Sequence, residues 1–165
     1  MKEQNLPEDF EIRPGTPDDA SLILSFIKEL ADYEKMSDEV VADENLINEH
    51  LFGKRKSAEV VIGYYKNEPV GFALFFHNFS TFLGRPGLYL EDLFVRKEMR
   101  GKGFGKALLK HLAHLAVKRN CGRMEWAVLN WNEPSIQFYK SLGAKPMDDW
   151  TVYRVTGKAL KELGS

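Results

Sequence analysis

Apolar and polar residues recur along this chain with two different periods, and the change from one period to the other marks out its elements. Residues 10–13 (FEIR) read as a short strand, and the GTPDD that follows opens a helix. There Thr16 suits the N-cap, Pro17 the first turn, and Asp18 and Asp19 complement the helix dipole. Ile23, Phe26, Ile27 and Leu30 then recur at helical spacing as one apolar stripe. A second, shorter helix is expected from Asp43, carrying Leu46, Ile47 and Leu51. Strand-type runs take over in AEVVIGYY (58–65) and VGFALFFHNF (70–79), which flank the turn KNEP and so predict an antiparallel hairpin. A third strand, LYLEDLFV (88–95), follows a loop containing Gly84, Pro86 and Gly87.

The helical period returns after RGKGFGKALL (100–109), with Phe104, Leu108, Leu112 and Leu115 on one side. MEWAVL (124–129) reads as a strand, NEPSIQFYKSLG (132–143) as a capped helix closed by Gly143, and WTVYRV (150–155) as a last strand. Thr156 is placed to cap a short terminal helix. The order β-α-α-β-β-β-α-β-α-β, without linker or repeat, predicts one mixed α/β domain over 1–165, its core from about residue 10 to 155.

Composition narrows the function. The chain has 165 residues, 44% of them apolar and 12% aromatic, which is enough for one well-buried core and excludes a disordered or collagen-like chain. Its 23 basic and 24 acidic residues leave a formal charge of −1, whereas a nucleic-acid binder would normally carry a basic excess. With Cys121 as the single cysteine, neither an intrachain disulfide nor a cysteine-based zinc cluster is expected. His111 and His114 lie three apart, but no third ligand is evident, so no metal is expected. MKEQNLPEDF has no apolar core of a signal segment, and no run approaches the ~18 apolar residues that span a bilayer. A cytoplasmic protein without membrane or nucleic-acid partners is the expectation.

The glycine loop holds the first sign of chemistry. A strand, a glycine loop and a helix together can hold a phosphate, since glycine lets the backbone approach closely and the helix start offers N–H groups and a favourable dipole. The same sequence could be a plain βα turn. A Walker A loop is excluded, because position 100 is Arg and position 107 is Ala. The dinucleotide spacing G-x-G-x-x-G also fails, since Gly101 and Gly103 are followed by Lys106 and Gly103 and Gly105 by Leu108. KGFG resembles the start of an RNA-binding strand, but Lys106 stands where an aromatic is required, and the residues after it keep a helical period.

What does fit is Arg100-x-x-Gly103-x-Gly105. Here the chain resembles the GNAT family of N-acetyltransferases, whose loop of this signature cradles the pyrophosphate of acetyl-coenzyme A. LYLEDLFV resembles that family's central strand, and Asn132-x-x-Ser135-x-x-x-Tyr139-x-x-x-Gly143 is similar to its Asn-to-Gly helix. Four blocks resemble the diamine acetyltransferases in particular, the spermidine/spermine and thialysine enzymes: KELADYEKMSDEV (28–40), GLYLEDLFV (87–95), RGKGFGKALL (100–109) and LNWNEPSIQFYKSLGA (129–144). The resemblance implies a single-domain fold with a mixed, mostly antiparallel central sheet and helices on both faces. It also implies acetyl-CoA as cosubstrate, no metal, a small-molecule amine as partner, and a homodimer.

Acetyl transfer to an amine needs a held thioester, a polarised carbonyl, a neutral amine and a protonated leaving thiolate. A primary alkylamine has a pKa near 10.4, so it arrives charged and must lose a proton before it attacks. Glu91 and Asp92 interrupt an otherwise apolar strand, and on a regular strand adjacent carboxylates point to opposite faces, so at least one would face the core. An edge strand would instead leave both in water. By resemblance Glu91 is the catalytic residue that binds the amine and relays its proton, with Asp92 beside it on the cation. The family strand also carries a β-bulge there, which would turn the amides of Leu93, Phe94 and Val95 toward the thioester carbonyl.

Tyr139 read alone is a core tyrosine beside Ile136, with its hydroxyl at the rim; by resemblance it is the acid that protonates the coenzyme thiolate. Arg100, Gly101, Lys102, Gly103, Phe104, Gly105 and Lys106 are expected on the coenzyme. Asn132 and Ser135 each admit a capping and a coenzyme-contact reading. Tyr33 and Glu34, which end the first helix, match the substrate-binding position of the diamine enzymes, and Asp148 with Asp149 could add to an acidic site. This last loop is shorter than in the polyamine enzymes and has aspartates in place of glutamates. An acetyltransferase for a small di- or polyamine or a lysine-like amino acid is therefore expected. The alternatives are a protein or peptide N-acetyltransferase and a non-catalytic acetyl-CoA-binding module.

Overall fold

The structure, a computed structural model, describes residues 6–165, so the first five residues of the expected domain lie outside it. The chain divides into two compact units, Met1–Ala127 and Val128–Ser165.

The first unit is built on five strands in the order of the chain: β1 (Phe10–Pro14), β2 (Glu59–Tyr65), β3 (Glu68–Ser80), β4 (Arg85–Val95) and β5 (Arg123–Trp126). β1 to β4 pair antiparallel, and β5 joins β4 in parallel. The parallel step requires a crossover, which α3 (Phe104–Lys118) supplies. Between β2 and β3, Lys66 (φ 52°) and Asn67 (φ 66°) are both left-handed, the two-residue turn whose twist matches a hairpin.

Helices cover both faces of the sheet, as the family resemblance implied. On one face α1 (Ala20–Tyr33) delivers the expected stripe: Ile23 and Phe26 are fully buried against Ile62, Phe72 and Phe94, and the Phe26 ring stacks on Phe72 at 5.4 Å. A 3-10 turn over Pro17–Asp19 precedes it, with the Thr16 N–H donating to Asp19 Oδ2 at 2.8 Å. A short α2 (Glu44–Ile47), capped by Asp43 accepting from the Leu46 N–H at 2.9 Å, widens into a π turn over Asn48–Phe52. On the other face Phe104 of α3 stacks on Phe10 at 4.4 Å, and Leu108 and Leu112 are fully buried. Each such side chain contributes roughly 1.5–3 kcal/mol by leaving water.

The second unit contains α4 (Glu133–Ser141) and α5 (Gly157–Leu163), the latter starting after Thr156 as expected. Gly143 has a left-handed φ of 86° just past α4, the terminator its sequence predicts. Two expectations are corrected. β5 stops at Trp126 rather than continuing to residue 129, and residues 150–155 form no strand. A β-prone run such as Trp150, Val152 and Tyr153 is a local property, whereas a strand exists only where another strand's ladder satisfies its backbone. Here those side chains are exposed.

Candidate functional site

β4 changes character halfway along. Its cross-strand partners run Phe75↔Leu90 and then Leu74↔Asp92, so Glu91 is the extra residue of a β-bulge, where the resemblance placed one. Pairing with β5 also ends at Leu90↔Trp126, so among the described residues the following stretch of β4 has no strand beside it on that edge. The Arg96 N–H donates to the Val70 carbonyl at 2.9 Å on the β3 side. Backbone groups of alternate residues point to opposite sides, so Phe94 also faces β3 while Leu93 and Val95 turn their amides toward the open edge. Of the three amides expected to meet a thioester carbonyl, Phe94's is thereby committed to the ladder, and Leu93 and Val95 remain.

The bulge also revises which carboxylate is withdrawn from water. Alternation across a regular strand does not apply to the extra residue, and Glu91 is exposed. Asp92 resumes the ladder opposite Leu74, which packs against the α1 cluster, so Asp92 shares the α1 side and is half-buried. Burial pushes its carboxyl up to about 6, and the neighbouring charges of Glu91 and then Glu34 push the same way. Burial also raises the Glu34 carboxyl above its ordinary range. Three carboxylates from two elements thus converge, and a bound cation would lower the cost of ionising Asp92 and Glu34.

Glu34 reaches that position because α1 ends abruptly. Lys35 adopts a left-handed φ of 61°, its N–H donates to the Asp32 carbonyl at 3.1 Å, and the Met36 N–H reaches back to Ala31 at 2.8 Å. This closing motif normally uses glycine; lysine accepts some backbone strain there, directly beside Tyr33 and Glu34. Two interactions fix α1 over the sheet. Arg96 at the end of β4 grips Glu29 through Nη2 at 3.0 Å and Nε at 3.2 Å, donates Nη1 to the Pro69 carbonyl at 3.1 Å, and lies over the Phe26 ring. One turn later, Arg100 lies over the Tyr33 ring at 4.4 Å. Sequence reasoning missed the Arg96–Glu29 pair, whose only signal was a charge on an otherwise apolar helix face.

The loop 100–106 has the geometry its glycines suggest. Gly101 (φ 78°) and Gly103 (φ 84°) are left-handed, where a side chain is strained. A Cβ on Gly105 would meet nothing nearer than Val95 at 3.8 Å, so alanine fits there. The first helical bond of α3 runs from the Ala107 N–H to the Gly103 carbonyl at 2.9 Å, so the amides of Phe104, Gly105 and Lys106 have no acceptor within the helix. An anion such as a pyrophosphate fits those amides, with Lys102 and Lys106 beside them. The Phe104 ring takes no part, being 2% exposed and stacked on Phe10; its share in the loop is its amide alone.

The other candidates belong to the second unit. Asn132 is buried and caps α4, its Oδ1 accepting from the Ser135 N–H at 3.4 Å, so the capping reading holds for that pair. Tyr139 lies on α4 beside Phe138, ring centroids 5.4 Å apart, and Asp148 is exposed in the loop after the helix.

Comparison with known proteins agrees with this reading. The family model described as Acetyltransferase (GNAT) family matches residues 24–144. A bovine (Bos taurus) thialysine N-epsilon-acetyltransferase is 34% identical over 163 residues, covering 92% of this chain and 95% of its own. An L-ornithine N5-acetyltransferase of Arabidopsis thaliana is 31% identical over 197 residues, covering 92% of this chain and 86% of its own. Among solved structures, an integron cassette protein from the mobile metagenome of V. cholerae superposes with a TM-score of 0.81 at 29% identity, over 94% of this chain and 98% of that one.

Proposed function

We propose, given that this chain belongs to the acetyltransferase (GNAT) family and is an acetyl-transferring enzyme of that kind, that its acceptor is the primary amine of a small diamine, polyamine or lysine-like amino acid. The observation that carries the choice of acceptor is the convergence of Glu34, Glu91 and Asp92 beside the open edge of β4. Relatives named for thialysine and ornithine, both amino acids with a side-chain amine, support the same class.

Acetyl-CoA supplies the activated thioester. The amides at the start of α3, with Arg100, Gly101, Lys102, Gly103, Gly105 and Lys106, hold its pyrophosphate, and by family resemblance Asn132 and Ser135 are further coenzyme contacts. Leu93 and Val95 present their amides to the carbonyl, where negative charge develops during attack. Tyr33, Glu34, Asp92 and Asp148 draw in the ammonium, and Glu91 accepts its proton so that the neutral amine attacks directly in a ternary complex. Tyr139 donates its phenolic proton to the departing thiolate as the C–S bond breaks; with an ordinary thiol pKa near 8.5 the released coenzyme stays protonated at neutral pH, and water returns a proton to the phenolate. The chain acts as one catalytic domain, in a homodimer in the cytoplasm, as its family resemblance implies.

Free thiol released on mixing the protein with acetyl-CoA and a panel of putrescine, spermidine, thialysine, ornithine and lysine tests the proposal. Release with one or more of these amines is expected. Release only with peptides would establish the protein-acetylating alternative, and acetyl-CoA binding without release would establish a non-catalytic module.

A further inference from the structure

Arg100 opens the glycine signature, and its place there assigns it to the pyrophosphate. Its side chain is nonetheless folded back into the protein. Nε donates to the Val95 carbonyl at 2.9 Å, and the guanidinium lies over the Tyr33 ring at 4.4 Å and near Phe94 at 5.6 Å. One planar group therefore touches the end of β4, the loop that starts α3, and the last turn of α1. Four residues earlier Arg96 grips Glu29 at 3.0 Å. Glu29 and Tyr33 are themselves four apart, so they stand one above the other on a single face of α1. Two arginines at a spacing of four thus hold two residues of α1 at the same spacing. Arg96 secures the helix at residue 29, and the turn beyond it, which ends in Glu34, is held at Tyr33 by Arg100.

Packing does not require this second tether. Tyr33 is 36% exposed, and Arg100 is exposed as well, so the contact adds little to the core. It does join the last turn of α1, which leads into Glu34, to the end of the strand that carries Asp92. We propose that Arg100 is a positioning residue that couples the glycine loop to the amine side by clamping Tyr33 over the end of β4. The inference rests on the acetyl-transfer reading above and extends it, because the two substrates would then feel each other through one side chain. By linkage, whatever orders the loop also orders the last turn of α1, and the reverse.

A double-mutant cycle on the amine KM at saturating acetyl-CoA tests it, using Arg100→Met, Tyr33→Leu and the pair. Each single change is expected to raise the amine KM about threefold to tenfold, as loss of an exposed cation–π contact and its tether would. The pair is expected to rise no further than the worse single variant. If the two effects multiply, or if Arg100→Met moves only the KM for acetyl-CoA, the coupling is refuted. Thermal unfolding checks that each variant folds. Arg100→Lys serves where Arg100→Met does not, since lysine keeps the loop's charge but cannot stack and donate to Val95 as a plane; it too should raise the amine KM. A wild-type protein that releases no thiol with any amine refutes the acetyl-transfer reading and this proposal with it. Wild-type turnover with an unaltered amine KM in both Arg100 variants refutes this proposal alone.

Discussion

Replacing Asp92 by asparagine removes a charge that the folded protein accommodates poorly, and the consequence is measurable without any substrate. The carboxyl moves from an ordinary 3.8 to about 6 on folding, because it is enclosed beneath α1 and faces Glu91 and Glu34. Two and a fraction pKa steps at 1.36 kcal/mol each correspond to about 3 kcal/mol; screening by water on the half-open side reduces this to about 2 kcal/mol. The sign follows from proton binding. Between pH 4 and 6 the folded chain holds the Asp92 proton more tightly than the unfolded chain does, so this group's stabilisation is complete below about pH 4 and is lost as pH rises through about 6. Asparagine has a similar shape and never ionises. Urea unfolding of both proteins at intervals from pH 4 to 7.5 should therefore show Asp92→Asn gaining about 2 kcal/mol on the wild type across that range. Stability curves that stay parallel would refute the enclosure of Asp92, and with it the acidic cluster on which the amine reading depends.

Four further outcomes are expected. Tyr139→Phe should lower kcat by ~10²-fold or more with folding intact in thermal unfolding, and wild-type turnover in that variant would remove Tyr139 from the acid role. Glu91→Gln should raise the amine KM and lower kcat while shifting stability by less than about 0.5 kcal/mol, because the side chain is exposed on a bulge; a change confined to stability in urea titration would make Glu91 structural. Gly103→Ala should destabilise by roughly 1–2 kcal/mol and raise the KM for acetyl-CoA about tenfold, since φ is 84° there. Gly105→Ala, with 3.8 Å of clearance, should leave the unfolding midpoint near that of the wild type; equal losses at the two positions would contradict the loop geometry.

Much of the architecture could be read in the chain because it depends on neighbours in sequence. The stripe Ile23, Phe26, Ile27 and Leu30 specifies a helix by its period, Asp43 and Asn132 cap their helices from within one turn, and Gly103 and Gly143 mark backbone that other residues reach only with strain. The signature Arg100-x-x-Gly103-x-Gly105 led to the family for the same reason, since a loop that presents its own amides carries its chemistry in consecutive residues. What could not be read depends on residues far apart. Whether WTVYRV is a strand is settled by the presence of a partner, and its β-prone residues contain no information about one. The enclosure of Asp92 rather than Glu91 follows from how β3 pairs across the bulge, and the role of Arg100 from where α1 sets Tyr33. Residue type and spacing therefore determined the helices, the hairpin strands and the glycine loop, and through the loop's resemblance to a family signature the reaction class. The tertiary structure decided which carboxylate loses its water and which arginine holds the helix, because burial and reach are properties of the assembled chain.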